Sequence, residues 1–183
     1  MPNSQGHASS LRSEWARPGR AIWLVRHAET SWSASGRLNG WSDIALSDQG
    51  RIQAVALHKE LAQAQPTQAW TSDLLRCRET AKLAGLKATA DTRLRELDFG
   101  ELEGATWSDL SPNHRQSLVE FDRFVAPGGE SVTDLRERVH AFLSELESGR
   151  HVVVTHGGVI RLICRELGRD QQIGPGTVIK ILS

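Results

Sequence analysis

The stretch Ala21-Ile22-Trp23-Leu24-Val25, followed at once by Arg26-His27, decides how the rest of the chain is read. Five consecutive apolar residues with no polar alternation mark a strand buried on both faces, as in a parallel sheet covered by helices on each side. The same pattern returns near the other end: His151-Val152-Val153-Val154-Thr155 is a second buried strand, and His156-Gly157-Gly158 follows it. Working outward, Ser47 is the expected N-cap of a helix reaching about Gln65, where Pro66 ends it. Gln68 to Thr71 reads as a strand. Ser72 or Asp73 then caps a helix from Leu74 to Ala84, stopped by Gly85. A short strand from Lys87 to Ala90 follows, then an irregular stretch to Gly104 and short helices over 105–125. The capping-box-like run Ser131 to Asp134 opens a helix to about Glu147. A helix after Gly157 ends near Gly168, and Thr177 to Leu182 is a last strand. Strands alternating with helices give an α/β fold with a mostly parallel central sheet flanked by helices.

Residues 1–20 are polar and turn-rich and end in Pro18-Gly19, so they read as a flexible N-terminal extension. With no repeat and no interdomain linker in sight, residues 21–183 are expected to form one domain. The 22 basic and 22 acidic residues of the 183-residue chain cancel, which gives no global attraction to nucleic acid or an anionic membrane. The basic set is lopsided, with 18 Arg and 4 Lys. Arg is the residue suited to bidentate recognition of phosphate or carboxylate. Cys77 and Cys164 are far apart in apolar helical surroundings, and form neither a CxxC pair nor a disulfide framework. Without an apolar run of about 20 residues or a secretory h-region, a cytoplasmic location is the simplest expectation.

Open α/β sheets bind ligands beyond the carboxyl ends of their strands. The residues at those ends are Arg26-His27, Ser72-Asp73 with Arg76 one turn later, and His156-Gly157-Gly158. Two imidazoles and two guanidiniums from distant segments therefore converge on one rim. Such a pocket favours a phosphoryl group. A cation would be repelled there, and no HxH, HExxH or carboxylate cluster offers metal spacing, so neither a metal nor another cofactor is expected. Trp23 and Trp70 read as core residues, whereas Trp41 and Trp107 border the expected pocket.

Arg26-His27-Ala28-Glu29-Thr30 after a buried strand resembles the signature of the histidine phosphatase (phosphoglycerate mutase-like) superfamily. Further segments agree in order: Leu38 to Asp43, Ser72 to Ala81, Leu94-Arg95-Glu96-Leu97-Asp98-Phe99-Gly100, Pro127 to Ser131, and Val154 to Gly158. The resemblance implies a three-layer sandwich and a metal-independent enzyme. His27 would be the nucleophile. Arg26, Arg76 and His156 would bind the phosphoryl oxygens, and Glu96 would serve as proton donor and then acceptor. Ser33, Asn39 and the backbone N–H of Gly157 would add phosphate contacts. Ala28 and Ser33 depart from the family's usual Gly and Asn.

Within that superfamily, the segment 105–126 is short. It lacks the adjacent arginine pair of phosphoglycerate mutases, and Ala105-Thr106 stands where those carry a basic residue. Hydrolysis of a small phosphorylated substrate is therefore expected over phosphoryl transfer between positions. The motifs around Glu96, with Trp107 and Pro127 to Ser131, look closest to the α-ribazole phosphatase group of cobalamin biosynthesis. Phosphoglycerate mutase-type transfer, a non-catalytic phospholigand-binding module and a metal hydrolase are the alternatives.

Overall fold

A computed structural model describes residues 18–182. The expected extension falls almost wholly on residues 1–17, which lie outside the described residues. Its last residue does not belong to it. Arg20 begins β1 (Arg20–Arg26), is 4% exposed, and donates through Nη1 to the Leu143 carbonyl at 3.0 Å. The aliphatic stem of a buried arginine extends the apolar strand by one residue, which turn-rich neighbours disguise in sequence.

The remaining strands are β2 (Gln68–Thr71), β3 (Thr89–Ala90), β4 (Gly149–Thr155) and β5 (Val178–Leu182). They order β3-β2-β4-β1-β5, with every neighbouring pair parallel except β1 with β5. Both sheet faces are apolar because alternate residues serve different layers. Ile22, Leu24 and Val153 face a core built with α5 (Val132–Glu145) and α6 (Gly157–Glu166). Val25, Val152 and Val154 face α2 (Asp48–Gln63) and α3 (Leu75–Leu83). The unbroken apolar runs are thus two interleaved hydrophobic faces, and the three-layer α/β sandwich follows.

Caps agree with the sequence in two cases and differ in one. Ser47 Oγ accepts from Gly50 N at 3.0 Å, and Ser131 forms its capping box with Asp134. At α3 neither Ser72 nor Asp73 is the cap. Leu74 holds that position, and the Oδ1 of distant Asp43 accepts from Leu75 N at 2.6 Å. Asp73 is instead drawn into a two-pronged ion pair with Arg95, at 2.8 and 2.6 Å. A charge-assisted pair with a planar guanidinium outcompetes a local cap. The expected strand from Lys87 shortens to Thr89–Ala90, and the 26–43 loop carries one helical turn, α1 (Ser31–Ala34). Between 105 and 125 lie a short 3-10 turn and α4 (Pro112–Glu120). Trp23 and Trp70 pack on the two cores as expected, Trp70 edge-on to Phe142 at 5.6 Å. Cys77 and Cys164 are buried free thiols, and burial pushes Cys77 up to about 12. No helix among the described residues is long and apolar enough to cross a membrane.

Candidate active site

Parallel pairing of β1 with β4 aligns Arg26 with Thr155, so the next residue of each strand, His27 and His156, emerges at the same rim. Their rings meet edge to face with centroids 5.2 Å apart. A cavity of about 300 Å³ opens above this rim, with Arg26, His27, Asn39, Glu96, Gly157 and Gly158 among the residues lining it.

His27 is 3% exposed, and its Nδ1 lies 2.8 Å from the carbonyl of Ala28. A carbonyl can only accept, so Nδ1 carries the hydrogen and Nε2 is left as the bare lone pair. Burial, then Arg76, then Arg26, hold the imidazole well below its ordinary value, so it is neutral. The Ala28 backbone is itself fixed, its N–H donating to Thr80 Oγ1 at 3.0 Å.

Arg76 and His156 lie behind His27 and do not line the cavity. Arg76 is fully buried. Its Nε donates to His156 Nδ1 at 3.2 Å, Nη1 to the Ser42 carbonyl at 3.0 Å, and Nη2 to the carbonyls of Asn39 and Gly40 at 3.2 and 2.6 Å. Because His156 Nδ1 accepts, its Nε2 donates to Ser72 Oγ, 2.9 Å away. The polar atoms of both side chains that were expected on phosphoryl oxygens thus have protein partners, and Arg76 organises the 39–42 loop. Arg26 differs. Its Nη1 donates to the Ile173 carbonyl, but its Nε is buried without a protein partner. Both amide atoms of Asn39 are buried and unpartnered as well. Ser33 lines the cavity, yet its hydroxyl is committed to a capping box with Thr30, whose N and O lie 2.9 and 3.1 Å away.

Glu96 is 7% exposed, and its two carboxylate oxygens accept from the backbone N–H groups of Leu97 and Gly158, each at 2.9 Å. A Cβ at Gly158 would sit 2.3 Å from Glu96 Oε1, so only glycine lets the start of α6 approach the carboxylate this closely. The sequence did not reveal what aims Glu96. Arg138 of α5 donates to the carbonyls of Arg93, Arg95 and Glu96 at 2.8, 2.6 and 2.8 Å, while gripping both oxygens of Glu130. Trp41, expected at the pocket, instead donates its indole N–H to the Glu96 carbonyl at 2.9 Å beneath the Arg95 guanidinium. The paired motifs Phe99-Gly100 and Pro127-Gly128-Gly129 are explained by backbone contact: a Cβ at Gly100 would lie 2.3 Å from the Pro127 carbonyl. Helical spacing alone gives no hint that Arg138 serves a loop over forty residues away.

The outer walls are apolar, formed by Leu38, Leu97, Phe99, Trp107, Leu118 and Phe121, and two arginines, Arg37 and Arg161, stand among them. Trp107 lies at this wall as the sequence suggested and is half exposed. Among the described residues, no group of three or more His, Cys, Asp or Glu side chains is gathered as a metal site.

The model of the histidine phosphatase superfamily (branch 1) matches residues 22–176. Proteins named probable phosphoglycerate mutase from two Salmonella strains, paratyphi C and choleraesuis, are each 38% identical over 148 residues, 74% of this chain and 69% of theirs. A crystal structure of phosphoglycerate mutase from Thermus thermophilus is 44% identical with a TM-score of 0.83, covering 88% of this chain and 92% of that one. The product of the open reading frame Rv3214 of Mycobacterium tuberculosis gives 28% and 0.76, covering 88% and 90%. Identity, coverage and fold agree, and the chain belongs to the histidine phosphatase superfamily.

Proposed function

We propose that this chain is a metal-independent phosphomonoesterase working through a phosphohistidine at Nε2 of His27. The observation that carries the reading is the pairing of a neutral imidazole, its Nδ1 tied to the Ala28 carbonyl, with a cavity lined by Arg26 and Asn39, whose buried Nε and side-chain amide have no protein partner. In the first step the Nε2 lone pair attacks phosphorus, the bond to the leaving oxygen breaks, and Glu96 gives that oxygen its proton. Water then attacks the phosphohistidine, Glu96 takes back a proton, and the N–P electron pair returns to His27. Arg26, Asn39 and the start of α6 at Gly157 hold the phosphoryl oxygens, and anions are favoured at such a helix start. Arg76 supplies positive charge from behind, and His156 anchors Arg76 to Ser72. The substrate is a small phosphorylated metabolite, with α-ribazole 5′-phosphate as the leading choice and cobalamin biosynthesis as the setting. A cytoplasmic location fits that role.

Phosphoglycerate mutase-type transfer is the second reading, because the relatives above carry that name. It requires a cationic clamp for the substrate carboxylate. Of the two arginines in the outer wall, Arg161 has a protein partner on each of its three guanidinium nitrogens, which leaves Arg37 alone for such a clamp and supports hydrolysis. A panel of α-ribazole 5′-phosphate, p-nitrophenyl phosphate and 3-phosphoglycerate, assayed with a chelator present, separates the readings. Hydrolysis yields inorganic phosphate with undiminished rate in the chelator. Conversion of 3-phosphoglycerate to its 2-isomer would establish the mutase, loss of activity to the chelator a metal mechanism, and binding without turnover the non-catalytic module.

Glu96→Gln is expected to slow esters of poor leaving groups by about 10²–10⁴-fold, the range of a lost general acid, and p-nitrophenyl phosphate far less. Gly158→Ala should give the same leaving-group dependence, since its methyl displaces the carboxylate. Equal losses on all esters would remove the acid role.

The depressed His27 pKa also sets the acid side of the pH profile. As pH falls through the ordinary histidine value of about 6.5, His27 stays neutral and nucleophilic. Once the substrate's own phosphate ionisation is divided out, kcat/KM should show no fall attributable to the enzyme until well below that value. A fall centred near it would show that His27 titrates as an ordinary histidine.

A further inference from the structure

Among the described residues only Gln65 and Phe121 combine a side chain with a left-handed backbone, and only Phe121 lines the cavity. At φ 66 and ψ −59 it forms a three-residue turn closed by Asp122 N donating to the Glu120 carbonyl at 2.9 Å. This is the strained form of the γ-turn, and such strain persists only where the surroundings over-determine it.

The surroundings here are two arginines from α6. The Arg161 guanidinium lies 4.6 Å from the centroid of the Phe121 ring. Its Nη1 and Nη2 donate to the carbonyls of Leu118 and Val119 at 2.9 and 2.8 Å, and its Nε to Asp170 at 3.1 Å. Arg161 therefore caps the end of α4 and covers the ring at once. Arg165 holds the other side of the turn, pairing with Asp122 at 2.7 Å and also with Asp170. Phe121 is 4% exposed and is among the residues lining a cavity whose other walls include Phe99 and Trp107. Since Arg161 stands one helical turn beyond Gly157, a single helix connects the phosphoryl end of the site to this wall.

We infer that Arg161 is a positioning residue that fixes Phe121 as the face against which the leaving group packs, so that the site selects phosphomonoesters whose leaving group carries a planar aromatic ring. The inference rests on the hydrolytic reading above. It gives Arg161 a purpose distinct from binding a substrate carboxylate, since each of its guanidinium nitrogens already donates to Asp170 or to the end of α4. Aromatic rings select for one another through offset or edge-to-face contacts that an aliphatic wall does not reproduce.

The test compares kcat/KM for 1-naphthyl phosphate and glycerol 2-phosphate across wild type, Phe121→Leu, Phe121→Tyr, Arg161→Lys and Arg161→Met, with 3-phosphoglycerate as a third substrate. The wild type is expected to prefer the naphthyl ester. That preference should fall about tenfold, mainly through KM, in Phe121→Leu and in both Arg161 variants, a size typical of one lost apolar contact in a specificity pocket. Phe121→Tyr keeps the ring and should keep the preference. Arg161→Lys should do no better than Arg161→Met, because an ammonium cannot cap two carbonyls and cover a ring together. An unchanged preference in the Leu and Met variants, or an equal loss in Phe121→Tyr, overturns the inference. So does 3-phosphoglycerate turnover that is lost in Arg161→Met and restored in Arg161→Lys, which would make the charge a carboxylate receptor. If the wild type hydrolyses neither ester, the hydrolytic reading itself fails; if it hydrolyses both with a preference indifferent to these variants, only this inference falls.

Discussion

The hydrogen bond between His27 Nδ1 and the Ala28 carbonyl is the constraint on which the site turns. It fixes the tautomer, and with it which nitrogen keeps a free lone pair. Everything adjacent maintains that arrangement. Thr80 holds the Ala28 amide, the β1–β4 register sets His27 beside His156, and Arg76 fills the space behind with positive charge. A buried imidazole flanked by two guanidiniums is unfavourable to protonate, so the same burial that shapes the core also keeps His27 neutral.

Polar groups at this rim fall into two layers. Arg76 and His156 are satisfied by protein atoms and form a rigid base. Arg26 and Asn39 keep unpartnered polar atoms buried beside the cavity. A buried guanidinium N–H without an acceptor costs about 1–3 kcal/mol or more, a cost that an accepting anion would offset. Preorganisation of this kind places donors before the charge arrives. Glu96 is held from the opposite direction, by backbone N–H groups at its carboxylate and by Arg138 and Trp41 at its carbonyl.

The central strands, the caps at Ser47 and Ser131, and the convergence of Arg26, His27 and His156 are legible in the sequence because each follows from local pattern: apolar runs, helix starts and strand ends. The antiparallel direction of β5 is not, since an apolar run carries no direction. Asp73 looks like a local cap because sequence shows only its neighbours, whereas Arg95 twenty-two residues on holds it more strongly than a backbone N–H can. In sequence Trp41 reads as bordering the pocket, yet its indole turns under Arg95 to the Glu96 carbonyl. Arg138 and Arg161 carry no sequence signal, for one reason. Each is a helix arginine among eighteen, and its role lies in long-range bonds to backbone carbonyls, which no spacing rule encodes.

The most direct test of the account is to quench the enzyme within its first turnovers on a ³²P-labelled ester and locate the label on the protein. Alkali-stable, acid-labile phosphate on Nε2 of His27 is the predicted result. Label on Nδ1, on another residue, or absent while phosphate is still released would contradict it.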